Sequence, residues 1–226
     1  MNLLFVTVGT SALDNPEVGQ APDRRDNKTL RGDLDRYRRS ADKSLERWSK
    51  LLGDVVQAHK RYWEQAQFYI LNWENRKQTS AELTSTMSLL RDATEHGFRP
   101  PDKLVLLASD TEEGELAAKV NEAVFRTLHP WMTFAVSRVK NLNVKFADFT
   151  RSIEGLVNEH QESGADRVVF NVTGGYKGAI PCITALARDK GWLLYCQHED
   201  AGYGVYLQFE DGKLRSEPKP FGRVWS

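Results

Sequence analysis

The chain has few cysteines and no net charge, and each of these features argues against a class of protein. Only Cys182 and Cys196 are present among 226 residues, both in apolar surroundings and without a CxxC or Cys/His spacing. A zinc site or a disulfide framework is therefore not expected, and both thiols are predicted to be buried and reduced. The 31 basic and 31 acidic residues cancel, so no overall positive field holds long nucleic acid. The charge balance does not exclude binding of a small anionic ligand.

Long hydrophobic runs and clustered metal ligands are missing as well. The apolar segment at residues 1–9 lacks the basic start of a signal peptide and is too short to span a bilayer. It therefore predicts a first strand in a cytoplasmic protein without membrane contact. The five histidines are scattered and form no pair at the spacing of metal ligands, so a metal ion is not expected. No other cofactor is expected either.

What the sequence does contain is a series of short apolar runs that alternate with helical patterns. Near-continuous apolar strands of this kind are typical of a parallel sheet covered on both faces. Residues 203–209 alternate after a turn, which predicts a C-terminal hairpin with an antiparallel edge strand. We predict one α/β domain over residues 1–226, with a Rossmann-like, mostly parallel sheet and helices on both faces. The predicted strands are Leu3–Val8, Leu104–Ala108, Leu142–Phe146, Arg167–Asn171 and Trp192–Gln197, and the predicted helices are Glu113–Leu128, Ala147–His160 and Gly178–Lys190.

Far more residues separate the first two predicted strands than a helical crossover needs, which indicates an insertion over residues 14–101. Its first part, residues 14–33, is rich in proline, glycine and charge and predicts a mobile loop. Its second part carries apolar residues at helical spacing. Within it, Thr79 followed three residues later by Glu82 is typical of a capping box at a helix start.

The most informative segment is a strand that runs into a turn with two glycines and a lysine, Val168 to Pro181. Gly174 and Gly175 allow backbone N–H groups to approach a ligand closely, and the start of the next helix adds partial positive charge. Lys177 supplies a full charge at a helix N-terminus, where a purely structural role would favour an acid. The turn therefore predicts an anion site.

The predicted strands end in four loops at one edge of the sheet, where open α/β sheets bind ligands. Three of the four combine hydroxyl side chains with backbone donors, a set that suits phosphate. For Ser11, a helix cap and a ligand contact have equal support. The four loops are Gly9–Ala12, Ser109–Glu112, Ala147–Thr150 and Thr173–Lys177. Our ligand-binding candidates are Gly9, Thr10, Ser109, Asp110, Thr111, Asn171, Thr173, Gly174, Gly175 and Tyr176.

Two common nucleotide-binding motifs are absent from these loops. The turn before Lys177 lacks the GxxxxGK[ST] spacing and has no following hydroxyl for magnesium, which argues against a P-loop NTPase. The first loop, Gly9–Ala12, lacks GxGxxG, so a nicotinamide cofactor is not expected. A Rossmann-like outline alone does not make the chain a dehydrogenase.

The motifs at these positions resemble those of the CARF proteins, the CRISPR-associated Rossmann-fold sensors of cyclic oligoadenylate. The likeness is greatest to the standalone ring nucleases. Its most specific element is NVTGGYK at Asn171–Lys177, and the weaker elements are Phe5–Ser11, Thr79–Leu83 and Leu194–Glu199, spread over nearly the whole chain. The resemblance implies that Ser11 and Lys177 serve in binding and cleaving cyclic tetraadenylate.

The resemblance also implies how such a protein works. CARF proteins act as homodimers, so each loop would meet the cyclic ligand twice. Attack of a ribose 2′-OH on the adjacent phosphate would open the ring without a metal ion, leave a 2′,3′-cyclic phosphate and switch off type III CRISPR signalling in antiviral defence. Two alternatives stay open. One is a sensor that binds the ring without cleaving it and signals to a partner through the helical insertion, and the other is a nucleotide-binding α/β protein unrelated to CRISPR defence.

Overall fold

The computed structural model describes residues 2–14, 80–95, 100–140, 146–161, 167–175, 177–197 and 204–214, together with residues 39, 50 and 53. The predicted loop at residues 14–33 lies outside this set apart from residue 14. The helical patterns predicted before residue 80 lie outside it apart from residues 50 and 53. Tyr176 and the end of the motif at residues 198–199 also fall outside the described residues.

The core is a six-stranded sheet in the order β3-β2-β1-β4-β5-β6. Neighbouring strands are parallel except for β5 and β6, which are antiparallel. The predicted α/β fold with a mostly parallel sheet and an antiparallel last strand is therefore confirmed. The strands are β1 (Asn2–Thr7), β2 (Lys103–Ser109), β3 (Thr133–Val139), β4 (Arg167–Asn171), β5 (Leu193–Gln197) and β6 (Gly204–Leu207), followed by a two-stranded hairpin of β7 (Phe209–Glu210) and β8 (Lys213–Leu214).

Helices cover both faces of this sheet. All six residues of β1 are buried; Leu4 and Val6 face one apolar core and Leu3 and Phe5 face the other, because successive side chains of a strand point to opposite sides. The first core includes residues of α2 and α3, and the second includes residues of α4 and α5. The helices are α1 (Ser11–Asp14), α2 (Ala81–Glu95), α3 (Glu112–Leu128), α4 (Phe146–His160) and α5 (Ala179–Lys190).

The prediction of the third strand at Leu142–Phe146 was wrong. The third strand is β3, and Phe146 is the first residue of α4. Residues 142–145 lie outside the described set. Because β3 is at the edge of the sheet, it mixes buried, half-buried and exposed residues, and the segment lacks the continuous apolar run of the inner strands.

Candidate functional site

The loops after β1 and β4 leave the same edge of the sheet side by side. The two strands are parallel neighbours in register, with Val6 opposite Asn171 near their carboxyl ends. The strand order reverses here, since β2 lies on one side of β1 and β4 on the other. Such a switch point is where open α/β sheets bind ligands. The predicted pairing of the first loop with the Lys177 turn therefore matches the topology.

Glycines bring the backbones of these two loops into contact. A Cβ atom added to Gly9 would lie 3.1 Å from the backbone nitrogen of Gly175. Gly175 has a φ of 87°, and a Cβ atom there would lie 2.8 Å from the Cβ of Thr7. The Thr7 hydroxyl donates to the carbonyl oxygen of Gly174 at 2.6 Å, which ties the turn to the end of β1. Both the dihedral angle and the close approach require glycine here.

A buried carboxylate, that of Glu82, links these loops to the start of α2. Its Oε1 accepts a hydrogen bond from the Gly9 N–H at 2.7 Å, and its Oε2 accepts one from the Ser11 hydroxyl at 2.9 Å. Glu82 has no exposed surface. It also packs against Gly174, where an added Cβ would overlap the carboxylate. The carboxylate therefore fixes the first loop and lies directly against the glycine turn.

The predicted capping box describes the start of α2 only in part. The helix begins at Ala81, and Ser80 provides the cap by accepting from the Leu83 N–H at 3.0 Å. Thr79 lies outside the described residues. The Glu82 side chain bonds to the first loop, a role that sequence reasoning missed because its partners are 73 and 71 residues away in the chain.

Helix α2 also bonds to the last residues of β4 and β5 through its hydroxyl side chains. The buried Asn171 amide donates to Ser85 Oγ at 2.8 Å and to Thr86 Oγ1 at 3.0 Å, and its Oδ1 accepts from the Thr173 N–H at 3.1 Å. The Thr173 hydroxyl accepts from the Gln197 N–H at 2.9 Å. The structure thus places the Asn171 and Thr173 side chains beneath the turn, where they hold its backbone. A signal was present in the sequence, since α2 carries hydroxyl residues on successive turns where a solvated helix favours charged ones.

Lys177 lies at the positive end of α5. Its ammonium donates to the carbonyl oxygen of Thr173 at 3.2 Å, and the residue is exposed. The N-cap of α5 is Gly178, which offers no side chain, and the described first turn of the helix contains no acid. The partial positive charge of the α5 dipole and the full positive charge of Lys177 therefore reinforce each other at the start of α5. This arrangement suits an anion, as the sequence predicts.

Of the two roles that the sequence predicts for Ser11, the structure shows a helix-capping one, and the ligand contact stays a prediction. Its hydroxyl donates to Glu82 and accepts from the Ala81 N–H at 3.2 Å. It therefore provides an acceptor for one of the N–H groups that have no partner within the first turn of α2. A hydroxyl oxygen accepts two hydrogen bonds, which leaves one acceptor position beyond these contacts. The side chain is only half-buried. Ser11 can therefore cap the helix and meet a ligand at the same time.

The side chains of the β2 loop bond mainly to their own surroundings. Thr111 caps α3 by accepting from the Gly114 N–H at 3.0 Å, and Ser109 lies 3.1 Å from the Thr111 hydroxyl. Asp110 forms an exposed ion pair with Arg138 at 3.5 Å. The ligand contacts of these three residues remain predictions. The contacts that the structure shows for them are a helix cap, a hydroxyl pair and an ion pair.

The prediction that Ala147–Thr150 forms a loop at a strand end was wrong. These residues form the first turn of α4, because the preceding strand ends at Val139 rather than at residue 146. A small cavity of about 20 Å³, enough for one water molecule, lies between this helix and the sheet. Thr7, Ser109 and Ala179 contribute to its lining, so the ends of β1 and β2 and the start of α5 adjoin.

The described residues contain no cluster of histidine, cysteine or acidic side chains arranged for a metal ion. None of their helices has the length and apolar character needed to cross a membrane. Both cysteines are free thiols. Cys182 is buried, as predicted, whereas the predicted burial of Cys196 was wrong, because its side chain is only half-buried. Burial raises the pKa of the Cys182 thiol and keeps it protonated.

One comparison with known proteins finds a match. The model of a CRISPR-associated protein family, Cas_APE2256, matches residues 77–207, which is more than half of the chain. The matched segment contains α2, the Lys177 turn and every strand of the large sheet except β1. A comparison with curated proteins finds no match.

Proposed function

The chain belongs to the CRISPR-associated protein family Cas_APE2256, and we propose that it binds cyclic oligoadenylate as a homodimer and cleaves it without a metal ion. Cyclic tetraadenylate is the first substrate to test, because the sequence resembles ring nucleases of the CARF group. Cleavage would switch off type III CRISPR signalling. The observation that carries the proposal is the contact between the Gly9 and Gly175 backbones at the switch point, with Lys177 beside them at the start of α5.

A homodimer explains how a site with so few groups can hold a ring. A two-fold axis through the cleft would present two copies of the first loop and two copies of the Lys177 turn. A cyclic tetranucleotide has a compatible two-fold axis, so opposite phosphates would meet identical surroundings. Each loop pair then needs to recognise only one ribose and its adjacent phosphate.

The chemistry proposed at each phosphate uses the ligand's own hydroxyl. The ribose 2′-OH attacks the adjacent phosphorus, the bond to the 5′ oxygen breaks, and the product carries a 2′,3′-cyclic phosphate and a 5′-OH. Lys177 and the N–H groups of Gly174 and Gly175 would stabilise the charge on the phosphorane, and Ser11 would orient the ribose or the phosphate. The close contact between Gly9 and Gly175 supports this role because it sets the position of the two loops relative to each other.

The direct test is cleavage of synthetic cyclic tetraadenylate by the purified protein in EDTA. We expect linear products that end in a 2′,3′-cyclic phosphate, and a fall of roughly 100-fold or more in Lys177→Ala, because removing one charge-stabilising group typically costs that much. Lys213→Ala is the matched control, since Lys213 is an exposed lysine of the small hairpin, and it should cleave at the wild-type rate. An intact ring after prolonged incubation with excess wild-type protein would refute the proposal.

Helix α2 gives specific support to a second function, that of a sensor without cleavage. Through Glu82, Asn171 and Gln197 the helix bonds to the loops or strand ends of β1, β4 and β5. A ligand that moves these loops would therefore shift α2, which belongs to the predicted insertion at residues 14–101. Tight binding of the ring without product, together with a ligand-dependent change of oligomeric state or partner binding, would favour the sensor.

A further inference from the structure

The proposed cleavage lacks a group that removes the proton of the attacking 2′-OH, and the geometry points to Glu82 as that proton acceptor, acting through Ser11. This inference rests on the proposed function. Glu82 is an acid hydrogen-bonded to the candidate catalytic residue Ser11, with 2.9 Å between its Oε2 and the hydroxyl oxygen. It is fully buried, so it cannot contact a ribose itself.

The hydrogen bonds around this pair set the direction in which a proton can move. The Gly9 N–H donates to Oε1 of Glu82, which leaves Oε2 as the acceptor for the Ser11 hydroxyl proton. Because the Ala81 N–H occupies one acceptor position of the Ser11 oxygen, one lone pair remains for a ligand hydroxyl. Ser11 is half-buried and Glu82 is not exposed at all, so the serine is the end of the pair that a ligand can reach.

In the step that follows, the 2′-OH proton passes to the Ser11 oxygen while the Ser11 proton passes to Glu82 Oε2. The 2′ oxygen forms its bond to phosphorus, and the bond from phosphorus to the 5′ oxygen breaks. The leaving 5′ oxygen takes a proton from solvent, and Glu82 later returns its proton to solvent. Serine is unchanged at the end, and no oxidant, metal ion or other reactant is consumed.

A purely structural role for Glu82 makes a different prediction about binding. If the carboxylate only held the first loop, its replacement would loosen the loop and weaken binding together with cleavage. If it accepts the proton, Glu82→Gln keeps an oxygen for the Gly9 N–H but cannot be protonated, and cleavage alone is lost. Removing a negative charge next to the Gly174 turn should also leave the affinity for an anionic ring equal or higher.

The experiment measures single-turnover cleavage and dissociation constants for cyclic tetraadenylate with the full chain. In Glu82→Gln we expect cleavage to fall roughly 100-fold or more, the usual contribution of a general base, with affinity no weaker than that of wild type. Ser11→Ala should lose a similar factor, and the double variant should lose little more, because two groups in one relay are not additive. Glu122→Gln is the control and should behave as wild type, because Glu122 lies on α3, outside both loops, and pairs with Arg126.

The outcomes separate this inference from the proposed function. If wild type cleaves the ring and Glu82→Gln cleaves it equally fast, the relay is refuted and the proposed function stands. The same conclusion follows if the loss of cleavage in the double variant is the product of the losses in the two single variants. Absence of wild-type cleavage refutes the proposed function itself. If Glu82→Gln does not fold, Ser11→Thr replaces it in the test, because threonine keeps the hydroxyl. Cleavage near the wild-type rate by Ser11→Thr, with no cleavage by Ser11→Ala, supports the relay. An equal loss of cleavage in Ser11→Thr and Ser11→Ala overturns it.

Discussion

Replacing Asn171 with alanine is expected to destabilise the protein by about 3 kcal/mol, because the amide connects the Lys177 turn to α2. The side chain has no exposed surface and makes three hydrogen bonds, to Ser85 Oγ, Thr86 Oγ1 and the Thr173 N–H. Each hydrogen bond contributes about 1 kcal/mol net, and a buried N–H left without a partner costs about 1–3 kcal/mol. The two hydroxyls lose only an incoming hydrogen bond, and the Ser85 hydroxyl still donates to the Glu82 carbonyl oxygen, so most of the loss comes from the Thr173 N–H, which is left without its acceptor.

This loss can be measured as a change in the free energy of unfolding. For a domain of this size, 1 kcal/mol corresponds to about 2–4 °C in Tm, so Asn171→Ala should melt about 6–12 °C below wild type. Asn158→Ala is the matched control, since Asn158 is exposed on α4, and its effect should stay within about 0.5 kcal/mol. Urea denaturation followed by circular dichroism gives the same comparison independently.

A double-mutant cycle tests the individual contact. Ser85→Ala removes one partner of the amide, and its effect in the Asn171→Ala background should be smaller than in wild type by about 0.5–1.5 kcal/mol. An Asn171→Ala variant as stable as the Asn158→Ala control would show that these three hydrogen bonds do not stabilise the fold. Asn171 would then not hold the turn, and its assignment as a ligand contact would regain weight.

Two further predictions concern the glycine contact and a buried histidine. Gly175→Ala should destabilise the protein by about 2–4 kcal/mol, since an alanine at a φ of 87° is strained and its Cβ would press on Thr7. The control Gly155→Ala, on the exposed face of α4, should be neutral or stabilising by up to about 1 kcal/mol. Equal urea midpoints for the two variants would contradict this prediction. Burial lowers the pKa of His160 below its ordinary 6.5, so the unfolded chain takes up the proton first and the free energy of unfolding falls as the pH drops below about 6.5. His160→Gln should flatten that fall between about pH 7 and about pH 5, whereas parallel profiles for the two proteins would rule out His160 as the cause.

The sequence predicts the inner part of the fold well because burial on both faces leaves a local signal. The strands β1, β2, β4 and β5 are apolar almost without interruption, and each was placed within a residue or two of its observed ends. The edge strand β3 was missed, since a strand with one exposed face mixes polar and apolar residues.

The candidate site is predictable only where its groups are close in sequence. The glycine pair and Lys177 fall within four residues, so their chemistry can be read directly. The Glu82 carboxylate contacts residues more than 70 positions earlier, and Asn171 bonds to hydroxyls more than 80 positions earlier. The local sequence pattern carries no information about contacts at such separations, so it predicts a capping role for Glu82 and gives no sign that Asn171 also holds the turn to α2. The ligand contact predicted for Asn171 stays a prediction.

The proposed activity is the opening of a cyclic oligoadenylate by the loops of this chain. The most direct measurement is a single-turnover incubation of wild-type protein, in excess and in EDTA, with cyclic tetraadenylate, followed by separation and mass analysis of the products. Attack by the ribose 2′-OH predicts linear oligoadenylates that carry a 2′,3′-cyclic phosphate and a 5′-OH. Recovery of the intact ring alone, after incubation long enough for many half-lives of a slow enzyme, would contradict it.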